Sequence, residues 1–124
     1  MLARADLVVE DVALFVPHQA NDRIIELARR RLRVPPEKIM VNIDRYGNTS
    51  AATIPVALAE AVEGGRVAPG ANLLLAAFGA GLTRGAGLVR WGERTEPLAS
   101  SDAALPECSQ TALEILGPAI RHTL

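Results

Sequence analysis

The segment Val12-Ala13-Leu14-Phe15-Val16-Pro17-His18-Gln19-Ala20-Asn21 changes character in its middle. Its first five residues form a continuous apolar run rich in β-formers. That pattern predicts a strand buried on both faces, as in a parallel sheet. Pro17 and His18 end the run. Asn21 suits a helix N-cap, and Asp22 suits the positive end of the helix dipole. Ile24, Ile25, Ala28 and Leu32 then lie at helical spacing and predict one apolar stripe. Arg29, Arg30, Arg31 and Arg33 load the last turn, where cations are favoured, and Pro35-Pro36 stops the helix.

Further along, Ile39-Met40-Val41-Asn42-Ile43 predicts a second strand and residues 44–48 a loop. A helix follows from Ser50 to about Glu63, opened by a Thr49-Ser50 cap. Pro55 sits near its first turn, where a missing N–H costs least. Gly64-Gly65 supply its C-terminal cap. Leu73 to Phe78 predict a third strand, Gly79-Ala80-Gly81 a tight turn, and Ala86 to Trp91 a fourth strand. The order β-α-β-α-β-β implies parallel strands joined by right-handed crossovers, ending in an antiparallel hairpin. Four strands and two helices make a thin α/β core. The expectation is a partner, or a place within something larger.

Composition narrows the function classes. The 124 residues are the size of one small domain, and 49% hydrophobic with 22% charged residues is a globular balance. Thirteen basic against fourteen acidic side chains argue against a nucleic-acid stripe or a polybasic membrane anchor. One cysteine, Cys108, excludes an internal disulfide and a cysteine-based zinc cluster. His18 and His122 are far apart, so no metal site is expected. No apolar run is long enough to cross a bilayer, and a cytoplasmic location is expected. Residues 1–94 read as the folded part. Residues 95–124 read as an extension, partly helical or disordered, with Leu113, Leu116, Ile120 and Leu124 near helical spacing and Gly117-Pro118 interrupting them.

In open α/β sheets, ligands bind beyond the carboxyl ends of the strands. Three polar or flexible segments follow three strands here: residues 17–21, 46–50 and 79–81. Parallel strands would bring all three to one edge. His18 stands between a buried strand and a helix N-terminus, a place that suits a neutral imidazole donating a hydrogen bond. Asn48 offers a second neutral donor. Two such donors aimed at one point make an oxyanion site for a thioester or enolate oxygen. Gly79 and Gly81 let a backbone N–H come close to a substrate. Each residue also has a plainer role: a capping or packing histidine, a turn asparagine, a hairpin glycine.

Val16-Pro17-His18-Gln19-Ala20-Asn21, Asp44-Arg45-Tyr46-Gly47-Asn48-Thr49-Ser50-Ala51-Ala52 and Ala77-Phe78-Gly79-Ala80-Gly81-Leu82-Thr83 resemble, in order and spacing, the C-terminal half of β-ketoacyl-acyl-carrier-protein synthase III. The resemblance covers about residues 5–92. It implies a partial thiolase-like half-domain and a decarboxylative Claisen condensation of acyl-CoA with malonyl-acyl carrier protein, in fatty acid or polyketide biosynthesis. His18 and Asn48 match the family's catalytic pair, which stabilises the thioester enolate. Ala80 matches a backbone N–H donor to the other oxyanion. Asn21 matches a position near the CoA arm, and Arg23 one implicated in carrier-protein docking; Arg29 and Arg30 could extend that basic face.

The resemblance implies no metal or resident cofactor, only CoA and carrier-protein thioesters as substrates. It also places the nucleophilic cysteine in a half that this sequence does not match. Cys108 lies beyond the matched region and does not replace it. The expected partners are therefore acyl carrier protein and a cysteine-bearing condensing-enzyme segment or a homodimer partner. The alternative is a non-catalytic truncated product that binds carrier protein or a synthase subunit, or a self-associating module.

Overall fold

The computed structural model describes residues 1–96 continuously, with residues 102–104, 107, 109–111, 114, 115 and 117 beyond them. The expected apolar positions of the extension (Leu113, Leu116, Ile120, Leu124), together with Cys108 and His122, lie outside the described residues. The elements that position the site are β1 (Leu14–Pro17), α1 (Asp22–Leu32), α2 (Ile43–Tyr46), α3 (Thr53–Glu63), β2 (Asn72–Phe78) and β3 (Arg84–Arg90).

The sheet has three strands in the order β1-β2-β3. β1 and β2 are parallel, with Leu14 opposite Leu73 and Pro17 opposite Ala76. β2 and β3 are antiparallel, with Phe78 opposite Arg84. All four residues of β1 are buried, as the continuous apolar run requires. Side chains alternate between two apolar layers. Leu14, Val16 and Leu73 pack with Ala57 and Ala61 of α3. Phe15 and Leu74 pack with Ile25 of α1, together with Val12, Val34 and Ile39. Two helices thus cover the two faces of the sheet.

α1 begins as its sequence dictates. The Asn21 side chain accepts from the Arg23 N–H at 3.0 Å, and Arg33 closes the other end with φ 57°. Glu26 bridges Arg29 and Arg30 at 2.7 and 2.6 Å across one turn. The expected stripe is narrower than its spacing suggests. Ile25 is buried and Ala28 packs beside it, whereas Ile24 and Leu32 are exposed. α1 meets only one sheet face, and that contact is one residue wide at each turn.

The expected second strand is reduced to a single parallel bridge between Phe15 and Ile39. The Met40 N–H reaches the Phe15 carbonyl at 2.8 Å, and the ladder stops there. The Met40 carbonyl and the Asn42 N–H instead bond the Gln19 side chain, and Ile43 opens α2. A side chain takes the place of the next rung. α3 starts at Thr53, after a 3-10 turn at Ser50–Ala52 with no side-chain cap, rather than at the expected Thr49-Ser50 cap. Pro55 falls in its first turn, and the Gly64 N–H closes on the Glu60 carbonyl at 2.8 Å.

Candidate functional site

β1 and β2 run parallel, so their carboxyl ends share one edge of the sheet. His18 follows β1 there, and residues 79–83 follow β2. The connection that carries Asn48 comes to the same edge. The result is a pocket of about 490 Å³ lined by His18, Asn48, Thr53, Ile54, Phe78 and Gly79, among others. The two side chains singled out in the sequence therefore face one space, although different connections deliver them.

His18 is held on several sides. Its N–H donates to the Ala76 carbonyl at 2.7 Å, which continues the parallel ladder one step past β1. Its ring meets the Phe78 ring edge-on, with centroids 5.4 Å apart and planes at 68°. Nδ1 is buried and has no hydrogen-bond partner among the described residues. A hydrogen on Nδ1 would be a buried donor with nothing to accept it, which is costly. The favoured tautomer keeps the hydrogen on Nε2, leaving that nitrogen as the ring's donor.

Asn48 follows Gly47, whose φ of 64° and ψ of −156° belong to a region essentially restricted to glycine. A side chain there would be strained in open space, so the backbone conformation explains the Gly47-Asn48 pair. The Asn48 Oδ1 accepts from the Ser50 N–H at 3.0 Å. That bond fixes which end of the amide faces the chain and leaves the Nδ2 hydrogens as donors. The side chain is exposed, so those donors are open to a ligand.

Two features that the sequence reading missed tie these loops together. Gln19 is only 1% exposed. Its Nε2 donates to the carbonyls of Pro17 and Met40 at 2.9 and 3.1 Å, and its Oε1 accepts from the Asn42 N–H at 2.9 Å. Its backbone N–H donates to Thr53 Oγ1 at 2.7 Å. The residue next to His18 is thus bolted to α3 and to the segment that leads towards Asn48. The second feature is Glu60 on α3, whose carboxylate accepts from Asn42, Arg45 and Tyr46. The Tyr46 and Asn42 hydrogen bonds and the Arg45 charge hold that carboxyl below the usual carboxylate range, and the Tyr46 hydroxyl is raised in return. No sequence signal marked either cluster, because the partners lie far apart along the chain.

The other expected positions fall around the pocket. Ala80 opens the 3-10 turn Ala80–Leu82 just past Gly79, and first-turn N–H groups have no partner within such a turn. Asn21 and Arg23 are not lining residues. Asn21 spends its Oδ1 on the α1 cap, and Arg23 is exposed in the first turn of α1. Among the described residues, no cluster of three or more His, Cys, Asp or Glu could hold a metal ion, and no helix is long and apolar enough to cross a membrane.

A parallel pair extended by an antiparallel strand, with helices on both faces, is the architecture of a thiolase-like condensing-enzyme half. Residues 2–91 match the family model described as 3-oxoacyl-[acyl-carrier-protein] synthase III C terminal, and the chain belongs to that family. It is 55% identical over 122 residues to beta-ketoacyl-[acyl-carrier-protein] synthase III 2 of Vibrio cholerae, covering 98% of this chain and 34% of that protein. It is 59% identical over 87 residues to the synthase III of a Roseiflexus species, covering 70% of this chain and 26% of that protein. The solved synthase III of Thermus thermophilus superposes with a TM-score of 0.72 at 56% identity, over 75% of this chain and 29% of that one. The chain spans about a third of the length of such relatives. The family model stops at residue 91, whereas the Vibrio match runs on through the extension.

Proposed function

We propose that this segment supplies the donor half of a decarboxylative condensing site, acting on malonyl-acyl carrier protein with an acyl group drawn from acyl-CoA. One observation carries the reading: His18 and Asn48 line the same apolar-walled pocket, each with a neutral N–H donor to offer. Neutral donors aimed at one point favour charge that develops on an oxygen there during reaction.

The steps follow from that placement. The bond between the malonyl carboxylate and its neighbouring carbon breaks, and CO2 leaves. The electron pair moves into the thioester carbonyl, and the enolate oxygen receives hydrogen bonds from His18 Nε2 and Asn48 Nδ2. The enolate carbon then attacks the acyl thioester held on a cysteine from a condensing-enzyme segment that this chain does not span. The resulting tetrahedral oxyanion is met by the Ala80 N–H, and the cysteine thiolate departs. Ile54, Ala77 and Phe78 supply the apolar wall beside the enolate. Arg23, exposed at the start of α1, would meet the acidic carrier protein, with Arg29 and Arg30 on the same helix, and Asn21 would lie near the CoA arm. This reading needs a cytoplasmic enzyme, no metal, and a partner segment or second copy.

The test is malonyl-thioester decarboxylation by this chain assembled with a cysteine-bearing synthase segment. His18→Ala and Asn48→Ala should each lower the rate by about 10²–10³-fold, the cost of losing an oxyanion donor, with circular dichroism unchanged. Retained turnover in both variants overturns the reading. A folded, assembled complex that binds carrier protein without turnover favours the alternative of a non-catalytic binding product.

A further inference from the structure

We propose that Glu60 is the positioning residue for Asn48, a role that rests on the reading of Asn48 as an enolate donor. The segment from Asn42 to Tyr46 leads directly into Gly47-Asn48, and three of its side chains converge on this one carboxylate. Glu60 Oε1 accepts from the Tyr46 hydroxyl at 2.6 Å. Glu60 Oε2 accepts from Asn42 Nδ2 and from Arg45 Nη2, both at 2.8 Å. α2 is a single turn of four residues with no side-chain cap. A helix this short is not stable by itself. Only Ile43 packs against the core, whereas Asp44, Arg45 and Tyr46 are exposed. Ile43 and the Gln19 bond to the Asn42 N–H anchor the start of the turn, and the carboxylate on α3 fixes its exposed side, which leads into Asn48.

α3 also holds the His18 side of the pocket, through Thr53 Oγ1 and the Gln19 N–H. One rigid helix therefore sets both donors: Thr53 near its start serves the His18 connection, and Glu60, two turns on, serves the Asn48 connection. Charge-assisted hydrogen bonds of this length are the strong kind. A carboxylate suits the place because all three partners donate to it. An amide in its place keeps one acceptor oxygen, loses the charge that strengthens the Arg45 bond, and forces the Tyr46 hydroxyl to turn from donor to acceptor.

The test has two arms. In the chain itself, amide hydrogen exchange is followed in wild type and Glu60→Gln. The Gly47 N–H bonds the Ile43 carbonyl and the Ser50 N–H bonds Asn48 Oδ1, so both amides report this loop. They should exchange about tenfold faster or more in the variant, while Leu74 and Leu75 in β2 stay protected. Unchanged exchange at Gly47 and Ser50 overturns the proposal. If Glu60→Gln does not fold, Tyr46→Phe removes one of the three bonds and is read in the same way.

In the assembled enzyme, Glu60→Gln should lower kcat for decarboxylation about tenfold with KM little changed, and should add no further loss to Asn48→Ala, because coupled residues are not additive. Losses that multiply would mean that Glu60 acts on general stability, and would also overturn it. If Asn48→Ala itself leaves decarboxylation intact, the functional reading fails, and the exchange arm still decides whether Glu60 clamps the loop.

Discussion

Replacing Gln19 with leucine keeps the side-chain size and removes every polar atom from a position only 1% exposed. Three backbone groups then lose their partners: the Asn42 N–H and the carbonyls of Pro17 and Met40. A buried group left without a partner costs about 1–3 kcal/mol. Carbonyls have a second lone pair and fall at the low end of that range, so the sum is about 3–5 kcal/mol. Domains of this size have only about 5–15 kcal/mol of stability, so the variant should fold marginally. With a urea slope of about 1.5–2 kcal/mol/M, the midpoint should drop by about 1.5–3 M at unchanged slope.

Gln19→Glu sharpens the argument. Its carboxylate sets oxygens against the Pro17 and Met40 carbonyls at neutral pH. The loss should match or exceed that of leucine, and part of it should return on acidification, as the protonated acid regains one donor. A midpoint shift below about 0.5 M for both variants would refute the view that this side chain joins β1 to the 40–42 segment.

Other expectations follow from the same contacts. Glu26 is held at about 2 by its hydrogen bonds to Arg29 and Arg30. A depressed carboxyl stabilises the fold above its ordinary range and loses that contribution as pH falls towards about 2; acid titration of Glu26→Gln should therefore show a shallower loss between about pH 4.5 and 2 than wild type. Phe15 is fully buried between β2 and α1, so Phe15→Ala should cost about 3–5 kcal/mol in urea unfolding. Arg23→Glu should weaken carrier-protein binding without changing the fold, and the difference from wild type should shrink as salt rises.

Much of the architecture was legible because its signals are local. The apolar run at residues 12–16 gives β1, the Asn21-Asp22 pair gives the start of α1, and Gly79-Ala80-Gly81 gives the turn between β2 and β3. The strand at residues 39–43 was not legible in its true form. Its composition is that of a strand, but Gln19, far away in sequence, takes the bonds a further rung would need. Ile24 was misread for a related reason, since spacing alone cannot say how wide a face the sheet offers to α1. At the site, parallel strands led to the expectation that the His18 and Asn48 connections share one edge; both residues do line one pocket, although Asn48 arrives through α2 rather than from a strand. Gln19, Thr53 and Glu60 were not legible, because their roles arise from contacts between segments and neither periodicity nor a turn signal marks them.

The most direct measurement records the side-chain ¹⁵N spectra of His18 and Asn48 in the assembled enzyme while a non-decarboxylating malonyl-thioester analogue is added. The account predicts an Nε2–H tautomer for His18, and shifts at His18 Nε2 and Asn48 Nδ2 that saturate together as both donate to one oxygen. A His18 ring protonated at Nδ1, or an analogue that saturates the enzyme while moving neither nitrogen, would contradict it.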